Sequence, residues 1–291
     1  MRGKIAFAGL ILALSAAGAS AQLKAPTTTQ DDIYCSGVVS NESVPRDTYV
    51  ITGEGSNIQN TFWEGQYVYV NKGASQGVKV GDEFSVIRRI EDPTDIQWSK
   101  WQFSILKKLG TVWADIAKLR VVVAQPDVSI TQIVKSCEYL QRGDVVLPFT
   151  ERPAPPLKSE SNFDRFAPPS GKPTAMIIAG KYWSVQGGTN SIVYVNLGVN
   201  QGVKIGDYFR IFRYQGTEHE TAYQDPRIAF EIEPSFGLAG FGSVPKKWNW
   251  NNVPREVLGE GVVVRSAPNA STVLITYSLR EVFAGDYTEL E

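Results

Sequence analysis

The sequence predicts a mainly β (all-β) protein made of two tandem small antiparallel barrel-like domains with one short helical insertion, and three observations carry that expectation. First, VYVNKGASQGVKVGDEFSVIR, Val68 to Arg88, returns 125 positions later as VYVNLGVNQGVKIGDYFRIFR, Val193 to Arg213, with 13 of 21 aligned positions identical. One supersecondary unit has been used twice. Second, the shared positions are chiefly glycines and alternating β-formers, the recipe for short strands joined by tight turns. Third, Pro148 to Pro173, between the copies, holds seven prolines, which deny a sheet its donors and favour extended polyproline geometry. The organisation that follows is a signal peptide over 1–21, a first β-domain over 22–149, a Pro-rich semi-rigid linker over 150–173 and a second β-domain over 174–291 with an aromatic insertion at 215–252.

Taking the elements in order, Arg2 and Lys4 precede an apolar run from Ile5 to Ala17 that is shorter than the roughly 20 residues a membrane-spanning helix needs. Ala19-Ser20-Ala21 then supplies a small-residue cleavage pattern, so an exported mature chain starting at Gln22 is expected. No later stretch reaches spanning length. Losing Arg2 and Lys4 moves the formal charge from −1 to −3, which argues against a nucleic-acid partner, since phosphate binding needs a basic stripe.

Expected strands run over Ile33–Ser40 and Thr174–Ala179, Tyr67–Asn71 and Ile192–Asn196, and Glu83–Arg88 and Tyr208–Arg213, followed by three closing strands in each half. The closing regions begin at Leu109-Gly110 and Leu258-Gly259, include strands ending at Ser136 and Ser278, and finish after a Gly-Asp pair. Period-two alternation places Phe84 and Val86, Phe209 and Ile211, and Val68 and Val70 on buried faces. Gly73, Gly77 and Gly81, matched by Gly198, Gly202 and Gly206, are expected at positive φ where the chain turns twice within ten residues. Asp82, Asp144, Asp207 and Asp286 each follow a glycine, and each Gly-Asp pair is assigned to the turn entering a strand, the carboxylate accepting a backbone N–H. Arg88 and Arg213, which end the third strand of each copy, either bind an acidic ligand, cap the barrel rim or pair with a nearby carboxylate, and Lys79 and Lys204 fall in solvated loops. Thr94-Asp95-Ile96-Gln97 has capping-box spacing, with Trp98, Trp101 and Ile105 on one face of a helix that Gly110 ends.

Cys35, on the expected first strand, and Cys137, near the end of the penultimate one, are expected to form a structural disulfide in an oxidising compartment. His219 is the sole histidine of the chain, so no His-based metal cluster, triad or cofactor site is expected, and no catalytic residue is assigned. Candidate partner-binding residues lie where the halves differ, in the insertions: Trp98 and Trp101 in the first, Phe236, Phe241, Trp248 and Trp250 in the second.

The pattern VYVNxGxxQGVKxGDxFxVxR, followed by a Leu-Gly, a valine-rich strand and a final Gly-Asp, resembles a small β-domain of bacterial envelope proteins. It is similar to the C-terminal domain of the flagellar assembly protein T family and to domains that accompany LysM modules. The resemblance implies a noncatalytic β-rich module in the periplasm, at the outer envelope or outside the cell. This chain departs from those families in its two copies, its lack of a LysM and its aromatic insertion. The resulting expectation is an exported cell-envelope scaffold or interaction module whose partner is an envelope protein or another copy of itself. The alternative is a cell-wall or polysaccharide-binding protein that uses the Trp-bearing insertions on a glycan.

Overall fold

The computed structural model describes residues 27–55, 58–94, 96–99, 101–158, 164–214 and 254–291. The expected signal peptide and the aromatic insertion, with Phe236, Phe241, Trp248 and Trp250, lie outside the described residues.

Both halves are built from strands in the same order. The second half is a closed antiparallel barrel of β10 (Thr174–Gly180), β12 (Ile192–Val195), β15 (Ser271–Ser278), β14 (Glu256–Ser266), β13 (Tyr208–Arg213) and β17 (Tyr287–Leu290), in that spatial order. In the first half, β2 (Val50–Gly53), β4 (Tyr67–Val70), β7 (Ser129–Ser136), β6 (Thr111–Ala124), β5 (Glu83–Ile90) and β9 (Val145–Pro148) follow one another likewise. Its ends meet through a Tyr49–Val145 bridge, with Val50 N–H donating to Asp144 O and Val146 N–H to Thr48 O. Register shifts recur at matching places, Val86/Ile87 with Ile211/Phe212 and Val50/Thr52 with Ile177/Ala179, so both sheets bend at the same points. A two-stranded ribbon adjoins each half: β3 (Thr61–Phe62) with β8 (Leu140–Gln141), and β11 (Gln186–Gly187) with β16 (Val282–Phe283).

Alternation positions the cores. Phe84, Val86, Val68 and Val70 join Leu119 and Ile133 inside the first half, while Phe209, Ile211, Val193 and Val195 join Leu258 and Ile275 inside the second. The second barrel departs from simple alternation. All four residues of β12 are buried, whereas Tyr67 and Tyr69 of β4 are exposed and half-buried. The outward faces of β10, β12, β14 and β15 carry Ile178, Ile192, Tyr194, Val262, Val264 and Leu274, and these pack with Val39, Leu109 and Val112 of the first half. Two-sided burial explains the unbroken apolar runs Val262-Val263-Val264 and Val273-Leu274-Ile275.

Four expectations need correction. Ile33–Ser40 is not one strand: α1 (Gln30–Tyr34) comes first and β1 (Val38–Ser40) follows, pairing with β6. A capping box wins over the β-formers, because Thr29 Oγ1 accepts Asp32 N–H at 3.2 Å and Asp32 Oδ2 accepts Thr29 N–H at 2.8 Å. Cys35 therefore caps a helix instead of lying on a strand. Second, α2 spans Gln102–Leu109 and does not start at Thr94, whose hydroxyl and N–H are bound to Asp92 Oδ1 at 2.9 and 2.8 Å. Trp101 precedes the helix at φ 71° and Gly110 ends it at φ 102°. Third, the two Leu-Gly pairs are not equivalent. Gly81 N–H donates to Val121 O and Gly206 N–H to Val263 O, a register that sets Leu258 against Ile116; Leu109 ends α2. Fourth, the described part of 150–173 does not hang between the halves. Thr28 N–H donates to Pro155 O, Arg152 reaches Ile33 O and Asp115, Lys158 reaches Glu260, and Ala167 packs with Phe212 and Val257.

Candidate functional site

The polar residues common to both copies serve the backbone. Asn71 Oδ1 accepts Tyr49 N–H at 2.6 Å, as Asn196 Oδ1 accepts Met176 N–H at 2.6 Å. Gln76 and Gln201 accept the N–H of Gly73 and Gly198 at 2.8 and 2.9 Å. All four Gly-Asp pairs make one turn. The glycine sits at positive φ, 95° at Gly81, 93° at Gly206, 84° at Gly143 and 101° at Gly285, and the aspartate accepts the N–H three residues back, from Lys79, Lys204, Gln141 and Phe283.

The glycines divide by physical role. Gly77 and Gly202 have φ of 89° and 86°. Gly73 and Gly198, expected at positive φ, are extended at −133° and −142°. Their hydrogens face neighbouring backbone: a Cβ at Gly73 would lie 2.2 Å from Gln125 O, and one at Gly198 2.3 Å from Ala267 O. At Gly77 and Gly202 a Cβ would meet nothing within 4 Å, so substitution there reports backbone strain alone. Gly77→Val and Gly202→Val should each lower unfolding free energy by about 1–3 kcal/mol in denaturant titrations.

One buried ion pair recurs in both copies. Arg88 Nε and Nη2 grip Asp144 at 2.7 Å each, and Arg213 Nε and Nη2 grip Asp286 at 2.6 and 2.7 Å. Arg255 holds the almost fully buried Glu289 through Nη1 at 2.8 Å and Nη2 at 3.2 Å, with Ser170 N–H adding to both carboxylate oxygens. Burial opposes ionisation of Glu289, but Arg255 and Ser170 outweigh it and hold the carboxyl below its ordinary value of 4.5. A depressed folded-state pKa gives stability that is present above the ordinary glutamate value and lost as pH falls through the folded one. Thermal melts should therefore fall with acidification below pH 4.5, and Glu289→Gln should flatten that decline.

The halves meet over a polar junction in which Tyr194, the counterpart of Tyr69, is joined by residues from outside the repeated motif. Gly37, at φ 70°, donates its N–H to Asp115 Oδ2 at 2.8 Å and accepts Thr272 Oγ1 at 3.0 Å, while Tyr194 Oη donates to Ser36 O at 3.1 Å. Asp115 also faces Arg152 Nη2 at 3.0 Å and Arg265 Nη1 at 3.3 Å, which joins the first half, the Pro-rich segment and the second half at one carboxylate. The insertion α2 adds a further tie. Gln102 Nε2 donates to Ile178 O at 2.6 Å and its Oε1 accepts Trp98 N–H at 2.7 Å. Trp98 is thus a half-buried residue of a docked segment, while Trp101, three residues on, is mostly exposed.

Beside the junction lies a cleft of about 410 Å³ whose walls come from both halves. The Cys35–Cys137 disulfide, with Cα atoms 5.3 Å apart, forms part of one wall with Ser136. Lys181 and Tyr182 form part of the other. Of these, the sequence marked only the cysteines and, as the end of a strand, Ser136. The available signal was the tripeptide Lys181-Tyr182-Trp183 directly after Gly180 of β10, where the first copy has Glu54-Gly55 after the matching Gly53. Two of its residues are left-handed, Tyr182 at φ 55° and Trp183 at φ 61°, a conformation that non-glycine side chains rarely hold. Trp183 packs into the core shared by the halves, and Ser184 N–H donates to Lys181 O to close the turn. Among the described residues, no group of three His, Cys, Asp or Glu side chains is arranged to hold a metal ion.

The chain matches no protein-family model and no curated protein sequence.

Proposed function

We propose that the protein is a noncatalytic, exported scaffold of the bacterial cell envelope, a platform of two coupled β-barrels that presents its insertions to an envelope protein or to another copy of itself. The single observation that carries this reading is the use of the repeated polar residues. Asn71, Gln76, Asp82 and Arg88, with Asn196, Gln201, Asp207 and Arg213, each bond to the chain's own backbone or to a buried partner carboxylate. What duplication preserved is therefore geometry, and binding belongs to the segments that differ. The disulfide suits an oxidising compartment, and no helix among the described residues is long and apolar enough to cross a membrane. The resemblance to envelope β-domains supports the same location.

The test is deletion of residues 218–249 followed by thermal melting and co-purification from native envelope extracts. The deletion should leave the melting transition in place and remove the captured partner. Asp82→Asn and Asp207→Asn should do the reverse, lowering stability with binding kept. A deletion variant that retains its partners would place function in the repeated barrels and end this reading.

A further inference from the structure

We propose that the outer face of the first barrel is the docking surface for the second half of another copy of this chain, so that copies join head to tail; this rests on the scaffold reading and names its partner. Strand register matches the two barrels residue by residue. Ile51 of β2 stands where β10 has Ile178, Tyr67 and Tyr69 of β4 stand where β12 has Ile192 and Tyr194, and Ile130 of β7 stands where β15 has Thr272. In the second barrel this face is covered. Ile178, Ile192, Tyr194 and Thr272 are all buried, under Val39, Leu109 and Val112 of the first half and the Gly37 carbonyl.

In the first barrel the same face is open. Tyr49 is 42% exposed, Ile51 38%, Tyr67 37% and Val123 43%, with Tyr69 and Ile130 half-buried beside them. Tyr69 pairs with Ile130 and Ile130 with Val123, so these side chains share one sheet surface. A contiguous exposed apolar face of this kind marks an interaction site.

The occupant follows from what covers the second barrel. That cover includes β1, which runs along β6 beyond the end of β7, with Val39 paired to Val112. The second half builds the same device. Residues 165–168 run beside β14 beyond the end of β15: Val257 N–H donates to Arg165 O at 2.7 Å, and Arg255 donates from Nε to Ala167 O at 2.9 Å and from Nη2 to Pro168 O at 2.8 Å. Phe166 in that segment is 62% exposed, even with the Arg165 guanidinium 5.6 Å from its ring centroid. The two insertions also leave their barrels at one step of the strand order, α2 between β5 and β6 and residues 215–252 between β13 and β14. Each chain thus carries a barrel face without its cover and a covering segment whose Phe166 covers nothing. A second copy satisfies both by continuing the contact that already joins the halves. Such an interface is heterologous, so it builds rings or filaments.

The test is sedimentation velocity of the purified exported chain, disulfide intact, over about a hundredfold range of concentration. The sedimentation coefficient should rise with concentration. Ile51→Glu and Val123→Glu on the face, and Phe166→Glu on the segment, should each weaken self-association at least about tenfold and keep the melting temperature, because all three side chains are exposed. Head-to-tail contact makes a further demand. The Ile51 variant keeps an intact segment and the Phe166 variant an intact face, so their equimolar mixture should form a one-to-one complex that neither forms alone. A parent chain that stays monomeric at every concentration, a Phe166 or Ile51 variant that assembles like the parent, or a mixture that stays monomeric would overturn the proposal. So would a monomeric parent whose Ile51 variant loses an envelope protein captured from extracts, which would assign the face to a different partner. Deletion of residues 218–249 should also weaken self-association, since α2 at the matching step supplies Leu109 and Gln102 to the cover. If that deletion assembles and captures partners like the parent while the Ile51 and Phe166 variants do not, the scaffold reading fails and the docking surface stands. If the parent is monomeric and the deletion still removes an extract partner, the docking surface fails and the scaffold reading stands.

Discussion

Asp286→Ala is expected to lower unfolding free energy by about 3–5 kcal/mol, because it strands a buried guanidinium. The Asp286 side chain has no exposure and that of Arg213 only 15%, so water cannot replace the lost partner. The carboxylate has a second duty: its Oδ2 accepts the Phe283 N–H at 2.7 Å, which fixes the turn from β16 into β17 and so the closure of the barrel against β10 and β13. The guanidinium itself donates to Glu281 O at 3.1 Å and lies over the Phe283 ring, with its carbon 5.1 Å from the centroid. Removing both charges, as Arg213→Met with Asp286→Leu, should recover much of the loss, since a buried pair is weak evidence of net stabilisation. Recovery should remain incomplete by roughly 1 kcal/mol, because the Phe283 N–H still lacks its acceptor. Denaturant unfolding of the two variants checks both statements. A loss below about 1 kcal/mol for Asp286→Ala would mean the pair behaves like an exposed one.

The repeat made its strands and turns legible because its information is local. Gly81-Asp82 and Gly206-Asp207 specify a turn within four residues, and Phe84 and Val86 specify a face by their spacing alone. Legibility ended where structure depends on pairs far apart in sequence. Asp115 meets Arg265 across 150 positions and Gly37 meets Thr272 across 235, and neither pair carries a local pattern. Single residues that look unremarkable alone therefore build the junction, which is why separate halves joined by a linker were expected where the structure shows a shared core. Some missed features had a readable cue. The Thr29-x-x-Asp32 box announces α1, yet Ile33, Tyr34, Val38 and Val39 read as one strand when β-propensity is weighed without the cap. The apolar runs in β14 and β15 likewise signalled burial on both faces, hence a neighbour packed outside the barrel. The cleft was the least legible, since the backbone angles of Tyr182 and Trp183 are imposed by packing and no propensity favours them.

Loss of the disulfide should be the second large effect, and its reach tests whether the junction is one mechanical unit. Cys35 and Cys137 are 102 residues apart, so in the chain-entropy account their bond removes about 4 to 5 kcal/mol of unfolded-state freedom. The native side matters as well. Cys35 caps α1, Ile33 O at the end of that helix accepts Arg152 Nη1 at 2.8 Å, and Arg152 grips the same Asp115 that holds Gly37 and Arg265. Freeing Cys35 should therefore loosen the segment through Gly37, and with it the seat of Tyr194 and Thr272 on the second barrel. Cys35→Ser with Cys137→Ser should lower the unfolding free energy by roughly 4 kcal/mol and speed amide exchange over residues 30–40 and 111–116. Exchange within β13 and β17, which close the second barrel away from that segment, should change least, because Leu279 stands where Cys137 does and that barrel closes without a cross-link. If stability falls while exchange at the junction stays unchanged, the bond acts on the unfolded chain alone and the coupling through Arg152 and Asp115 is excluded.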